Sequence, residues 1–444
     1  MIQEKNNSLE EHVQLSVCFV TLGCKVNQTE SEAMAQLFRD AGYQIVDVKQ
    51  TPDVVVINTC TVTNTGGSKS RQAIRRMIKA HPESFIIVTG CYSQTVPTEV
   101  LDIAGVDLVL GTQDRTQILK WIEHVKQTNE PYNAVHAIWD VKEFEELPQL
   151  EEESRTRAML KIEEGCNRFC TYCIIPYARG PVRSRLPSNA LAEAVKLVEA
   201  GYQEIVLTGI HTGAYGEDLE AGWDLARLVK SLVKIPKLHR LRLSSIEPVE
   251  FTTELIEIIV ASPVICSHLH IPLQSGSDAV LAKMQRPYSL GEYQDLLKRL
   301  FQSIPSLAVT TDIIVGFPGE TEADHRQALD FVSRCGFAGI HVFPYSKRKG
   351  TPAADYPDQV SGQVKTQRVK EMLQVSRESQ RAFNASLLGH LVEVLVERVD
   401  AQGQAFGHTE NYLAVNLLPN LDGETWQVGQ LVSVRLEKEH LINA

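Results

Sequence analysis

Apolar residues in this chain come in short runs, and the stretches between them are polar or patterned at helical spacing. Runs at residues 13–21, 44–48, 54–58, 85–89 and 108–110 predict strands, and 30–41, 68–80 and 116–127 predict amphipathic helices. Strands alternating with helices predict an open α/β domain over 13–127. Residues 128–154 lose the pattern. They carry Glu143, Glu145, Glu146, Glu151, Glu152 and Glu153 around Pro148 and read as a linker. Regular alternation returns over 155–379, with strands at 158–163, 204–208, 239–243, 268–272, 308–314 and 339–343. Helical stretches at 189–200, 225–233, 252–261, 290–303 and 323–335 fill most of the gaps. Six such units are too few for an eight-stranded barrel, and parallel strands with crossover helices either close part of a barrel or stay open. From 380 to 444 the runs shorten (391–399, 404–408, 413–417, 431–436), with turn residues at 400–403, 419–420 and 422–423. That spacing predicts a small antiparallel β-barrel.

Composition narrows the class. With 444 residues, 43% hydrophobic and 22% charged, the chain has the make-up of a globular protein of two to four domains. The start of the chain is polar, and no apolar run approaches the roughly 18 residues of a membrane span, so a cytoplasmic protein with no membrane partner is expected. A net charge of −11 argues against a generally basic nucleic-acid binder but leaves room for local basic surfaces. Two basic runs qualify. One holds Lys69, Arg71, Arg75, Arg76 and Lys79; the other holds Arg155, Arg157, Lys161, Arg168, Arg179, Arg183 and Arg185. A solvated helix face is the alternative explanation for either.

Nine cysteines in such a chain point to metal or redox chemistry rather than a disulfide framework. Cys166, Cys170 and Cys173 stand in a Cys-x3-Cys-x2-Cys run just after a predicted strand. Three thiolates in one loop can grip three irons of a cubane cluster and leave the fourth iron open. A zinc loop is the alternative, although zinc normally takes a fourth Cys or His at close spacing. With Tyr172 just before the third cysteine, the run resembles the signature of the radical S-adenosylmethionine (SAM) enzymes. That resemblance implies a partial (βα)6 TIM-like barrel over 155–379, a [4Fe-4S] cluster whose open iron chelates SAM, and one-electron cleavage to methionine and a 5'-deoxyadenosyl radical.

Three strands of the first domain end in Thr21-Leu22-Gly23-Cys24, Asn58-Thr59-Cys60 and Thr89-Gly90-Cys91. In a parallel sheet those carboxyl ends share one edge, where ligands bind, so the three cysteines should converge. Three buried cysteines are the alternative, and that reading suits Cys18, Cys266 and Cys335. Together, the trio and the radical motif resemble the methylthiotransferase family over essentially the whole chain. The resemblance implies a second [4Fe-4S] cluster on Cys24, Cys60 and Cys91, and two SAM molecules per turnover, one giving methyl and one the radical. It also implies cofactor contacts at the carboxyl ends of the barrel strands: Thr208, Gly209, Ser244, Glu247, Gln274, Ser275 and Gly316, beside Tyr172. Thr321 and Asp278 read as helix caps, and His211 and His270 receive no catalytic role. Residues 23–28, Gly-Cys-Lys-Val-Asn-Gln, look like the branch acting on C2 of N6-threonylcarbamoyladenosine at position 37 of tRNA.

The last domain resembles the TRAM module, an RNA-binding barrel of OB-like build, with residues 407–411 where its RNA-contacting loop lies. Acids outnumber Lys and Arg there, which shifts the expected phosphate contacts to the basic runs near Arg75 and Arg183. The implied partners are a tRNA anticodon loop, whose bases can be splayed out, and an electron donor such as flavodoxin or ferredoxin. Competing readings are methylthiolation of isopentenyladenosine or of a ribosomal-protein aspartate. From another class come an iron–sulfur carrier and a non-catalytic RNA-binding protein.

Overall fold

The computed structural model describes residues 14–61, 64–148, 156–220, 222–419 and 425–442. Val13, Glu151, Glu152, Glu153, Arg155, Asn420 and the turn at Asp422–Gly423 lie outside them. The described residues fall into two compact units, one reaching Ala137 and one starting at Ile138, with a brief return to the first at Leu147.

In the first unit, Ser16–Thr21 (β1), Gln44–Ile45 (β2), Val54–Thr59 (β3), Phe85–Gly90 (β4), Leu108–Val109 (β5) and Tyr132–Asn133 (β6) form one parallel sheet. Their order is β2-β1-β3-β4-β5-β6. β3 is buried along its whole length, as a strand covered on both faces should be. Alternate residues feed two cores. Val17, Val54, Val56 and Ile87 pack with Met34 and Phe38 of helix Lys25–Asp40 and with Ile118 and Ile122 of helix Ile118–Thr128. Cys18, Val55, Ile57 and Val88 face Ile74 and Met77 of helix Asn64–Ala80. The strand order reverses between β1 and β3, which makes their carboxyl ends the place where such sheets bind ligands. β6 lies inside the expected linker: once β5 offers an edge, two residues suffice to pair, too few to show as a sequence pattern.

The second unit opens with Arg157–Lys161 (β7) and a two-residue hairpin pairing of Glu163–Glu164 (β8) with Arg183–Ser184 (β9). Glu204–Thr208 (β10), Arg240–Arg242 (β11), His268–His270 (β12), Ala308–Val315 (β13) and Gly339–Pro344 (β14) follow. β7, β10 and β11 form one parallel triplet and β12, β13 and β14 another. A parallel bridge from Ser245 to His270 joins them, so six parallel strands run in chain order. This is the expected partial barrel. One side of each strand packs under the helices through Leu160, Ile205, Leu207, Leu241, Leu269, Val309 and Ile313.

Helix Gly362–Ser386 continues through the boundary expected at 379/380. Its few apolar contacts (Met372, with Val369 and Val375) pack on the barrel core, while Ser376 and Ser379 bond Ile340 O and Phe337 O. So polar a helix has little periodicity to read. Beyond it Leu391–Val399 (β15), Ala405–Thr409 (β16), Ala414–Leu417 (β17) and Leu431–Arg435 (β18) pair antiparallel in the order β17-β16-β15-β18. A bridge from Val415 to Leu441 brings the chain after β18 back to β17 and curls the sheet toward closure.

Candidate active site

In the first unit the register sets Thr21 beside Asn58, Asn58 beside Thr89 and Thr59 beside Gly90. Cys24, Cys60 and Cys91 therefore leave three adjacent strand ends at the switch point. Cys24 caps helix Lys25–Asp40, and Cys91 begins helix Cys91–Thr95. Buried Asn27 ties the loops together. Its Nδ2 donates to Leu22 O and Thr59 O, both at 2.9 Å, and to Asn58 Oδ1 at 3.3 Å. A side chain at Gly23 would come within 3.2 Å of the Cys60 sulfur, so the Cys24 turn lies directly against Cys60. Gly90 serves a different need: at φ +97° a Cβ there would meet Asn58 Oδ1 at 2.4 Å and Thr59 O at 2.5 Å. In the sequence Asn27 stands out only as part of the 23–28 motif, with no sign that it ties these loops together.

In the second unit the radical motif forms a loop pinned at both ends. Cys166 N donates to Gly180 O (3.0 Å), Thr171 Oγ1 to Lys283 O (2.9 Å) and Ala353 N to Thr171 O (2.8 Å). Gly165 is compulsory, because at φ +91° a Cβ would sit 1.9 Å from Pro181 O. Phe169 also takes a left-handed φ of +46°, and its half-exposed ring stacks on Trp139 at 5.4 Å. No disulfide joins any of the nine cysteines. Burial, together with the neighbouring thiols, pushes the Cys166 thiol up and that of Cys173 up to about 12. As neutral thiols they are at home in this pocket, and as thiolates they demand compensating positive charge.

Arg286, which the sequence reading passed over, brings such a charge. Arg286 directs Nη1 to Cys170 Sγ (3.2 Å), Nε to the Tyr288 hydroxyl (3.1 Å) and Nη2 to Glu247 in an ion pair. Burial raises the Glu247 carboxyl, with Arg286 opposing. His211 places Nδ1 3.6 Å from Cys166 Sγ and Nε2 2.5 Å from Glu250 Oε1. Burial would raise Glu250, but bonds from His211 and Arg168 outweigh it and hold that carboxyl below its usual range. Glu163 is wholly buried. Its Oε2 accepts the amides of Ile210 (2.9 Å) and His211 (2.6 Å), and burial drives its carboxyl well upward.

The expected cofactor contacts are placed as follows. Thr208 ends β10, and Gly209 leaves room for Glu163, whose Oε2 a Cβ there would approach to 2.9 Å. Tyr172 meets Phe317 edge to face at 6.4 Å. The Ser244 hydroxyl is committed to Leu207 O. Gln274 takes φ +67° at the bridge to Ile313, and the Ser275 hydroxyl accepts from Ser277 N at 3.3 Å. Beside Gly316 runs the stem of Lys365, 2.5 Å from where a Cβ would stand. Thr321 caps helix Glu322–Arg334 as expected. Asp278 does not cap: Ser277 does, and Asp278 accepts Leu290 N at 2.8 Å instead.

Two expected RNA contacts need correction. In the second basic run Lys161, Arg179, Arg183 and Arg185 are buried: Lys161 and Arg179 meet Glu164, Arg185 meets Glu146, and Arg183 donates to Arg179 O and Pro181 O, both at 3.0 Å. Sequence shows charge but not its neutralisation by distant acids. The loop at 407–411 is occupied from within the chain. Thr409 and Asn411 are buried, Arg240 bonds His408 O (3.3 Å), Arg242 bonds Glu410 O (2.8 Å), and the Tyr412 ring lies under Arg242 at 4.7 Å. The first basic run keeps Lys69, Arg75, Arg76 and Lys79 exposed on one helix.

A partial parallel barrel carrying a three-cysteine loop at its first strand defines the radical SAM class. Residues 160–332 match the radical SAM superfamily, and residues 16–111 match the family described as uncharacterized protein family UPF0004. Among solved structures, the radical S-adenosylmethionine methyltransferase TsrM from Kitasatospora setae shares the fold with a TM-score of 0.58. It is 14% identical, and the match covers 77% of each chain. The threonylcarbamoyladenosine tRNA methylthiotransferase MtaB of Bacillus subtilis is 46% identical over 95% of this chain and 94% of its own. MtaB of Aquifex aeolicus is 36% identical over 86% and 93%. A tRNA-2-methylthio-N(6)-dimethylallyladenosine synthase from Moorella thermoacetica is 37% identical over 94% and 95%. The chain belongs to the tRNA methylthiotransferase family of radical SAM enzymes, on its MtaB branch.

Proposed function

We propose that this chain places a methylthio group on C2 of N6-threonylcarbamoyladenosine at position 37 of tRNA. One observation carries the reading: a single chain holds a three-cysteine loop in a partial barrel and a second cysteine trio at the switch point of a separate parallel sheet. Carbon 2 of adenine bears a hydrogen without useful acidity, so acid–base chemistry cannot replace it, and a cofactor must carry the difficult step. The donor sets fit two [4Fe-4S] clusters, one on Cys166, Cys170 and Cys173 and one on Cys24, Cys60 and Cys91. A zinc site normally takes a fourth Cys or His at close spacing, and the run from Cys166 to Cys173 carries none. When bound, the first cluster would pass on the electron that cleaves SAM, and the second would present sulfur at its open iron.

The chain's own residues hold this chemistry in place. Arg286 and His211 face two of the three thiols with hydrogen-bond partners, and Glu163 pins the loop after β10, where Thr208 and Gly209 would meet the methionine end of SAM. Tyr172, Ser244, Glu247, Gln274, Ser275 and Gly316 would line the rest. The first unit, reaching Ala137, would serve as the auxiliary-cluster domain, the barrel with helix Gly362–Ser386 as the radical core, and the sheet from Leu391 onward as a TRAM domain. The exposed basic helix face near Arg75 would meet phosphates of the anticodon arm, and the adenosine must leave its stack to be modified. A flavodoxin or ferredoxin would deliver electrons, in the cytoplasm. No helix among the described residues is long and apolar enough to cross a membrane.

The test is mass spectrometry of tRNA nucleosides from cells with and without the gene. Loss of 2-methylthio-N6-threonylcarbamoyladenosine is expected. Loss of the methylthio-isopentenyl nucleoside instead, or unchanged tRNA with a modified ribosomal aspartate, would transfer the assignment to that substrate.

A further inference from the structure

Side chains alternate faces along β12, β13 and β14. Leu269, Val309, Ile313, Val315 and Ile340 are buried in the core beneath the helices. Between them His270, Thr310, Asp312 and His341 face the opposite side, toward the inside of the open barrel, and all keep some exposure. The register sets His270 beside Thr310 and Asp312 beside His341. One ring nitrogen of each histidine and a carboxylate oxygen of Asp312 consequently lie within 4.8 Å of one another. His270 Nε2 stands 3.3 Å from Asp312 Oδ2, its Nδ1 stands 2.9 Å from Thr310 Oγ1, and the two imidazole centroids are 5.8 Å apart.

We propose that His270, Asp312 and His341 bind one divalent transition-metal ion of the zinc type on the inner wall of the barrel, through a ligand set that shares no residue with either cysteine trio. Two imidazoles and one carboxylate suit borderline divalent ions and leave coordination positions open. Adjacent strands fix the three ligand backbones, so little ordering remains to be done on binding. Thr310 supplies the outer-shell device such sites use: a hydroxyl on Nδ1 of His270 orients the ring and turns Nε2 toward the ion's place. An ion pair alone would need only His270 and Asp312. The exposed His341 makes a third ligand that adds no burial to the fold. The open positions face the barrel interior, where an oxygen donor such as a carboxylate or hydroxyl would complete the shell. The site rests on this geometry and not on the tRNA substrate assigned above.

The test uses the full-length chain, loaded anaerobically with iron and sulfide so that both trios are occupied, then titrated with zinc. Calorimetry should show one zinc per chain beyond the iron, and zinc-edge X-ray absorption should show nitrogen and oxygen neighbours at about 2.0–2.2 Å without sulfur at about 2.3 Å. Thr310→Val should weaken binding about 10–100-fold, and His341→Ala should weaken it further, with iron content unchanged. Sulfur neighbours, affinity indifferent to His341→Ala, or no stoichiometric zinc on the folded wild type would each overturn the proposal. His341 is exposed, so its replacement does not threaten folding. If Asp312→Asn misfolds, the His341 variant decides.

Discussion

Replacing Arg242 with methionine tests how the amino-terminal mouth of the barrel is sealed. Arg242 is 2% exposed. Its Nε lies 2.6 Å from Glu204 Oε1, its Nη2 2.9 Å from Glu204 Oε2 and its Nη1 2.8 Å from Glu410 O. Its guanidinium also covers Tyr412, a contact worth about 0.5–2 kcal/mol in itself. Methionine fills much of the stem's volume, so the substitution mainly strips the hydrogen-bonded partner from the Glu204 carboxylate, which is 1% exposed and keeps only the weaker attraction of Arg157 and of Arg240 at 3.8 Å. Breaking a buried pair in this way costs about 3–5 kcal/mol. At about 1.4 kcal/mol per tenfold, exchange of amides that open through this seal should accelerate on the order of 10²–10⁴-fold. Hydrogen exchange across β16 and β17 is the right assay, because a chain of several domains has no single unfolding free energy.

The pH dependence carries a sign. Burial pushes Glu204 up, but the bond and charge of Arg242 outweigh it and hold the carboxyl below its usual range. Its stabilisation is therefore complete above the ordinary carboxylate value of about 4.5 and fades as pH falls through the lower folded value. Wild type should loosen at β16 and β17 on acidification, whereas Arg242→Met, with Glu204 left only the weaker attraction of Arg157 and Arg240, should show that dependence reduced or reversed. A cost below about 1 kcal/mol, with unaltered exchange in Ala405–Leu417, would refute the reasoning.

Further expectations concern the cysteine sites and the RNA. Cys170→Ala should abolish 5'-deoxyadenosine formation, while Cys60→Ala should spare it and stop thiolation; loss of both activities in Cys60→Ala would contradict the division between the trios. Anaerobic reconstitution of wild type should give about eight irons per chain, and each of these variants about four. Gly90→Ala should destabilise the first unit by about 1–3 kcal/mol, since a left-handed φ and a 2.4 Å approach to Asn58 coincide; near-neutral thermal unfolding would sink that account. Changing Arg75, Arg76 and Lys79 to Gln should weaken tRNA binding and lower the salt slope by about 0.7 per lost phosphate contact on single strands. Arg183→Gln should instead appear as lost stability, because Arg183 is fully buried.

Local chemistry was legible wherever it is contiguous. Cys166, Cys170 and Cys173 announce themselves within eight residues, and the three strand-end cysteines follow once β1, β3 and β4 are recognised as parallel. Asn27, Arg286 and Glu163 carry no such signal, because each acquires its role from partners brought near only by folding. Arg286 reaches Cys170 across 116 positions of sequence. Charge proved the least legible property. Arg75 and Arg183 look alike in a list of residues, yet one faces solvent and the other is buried.

By itself, the sequence determined the order of strands and helices, the two cysteine sets and hence the class of reaction, because period, turn residues and metal-ligand spacing are properties of neighbours along the chain. Tertiary structure alone decided which cations are spent on internal carboxylates, why residues 407–411 face the barrel floor, and that His270, Asp312 and His341 share one wall. Those depend on strand register and on which distant groups meet, and both are set by the packing of whole elements against one another.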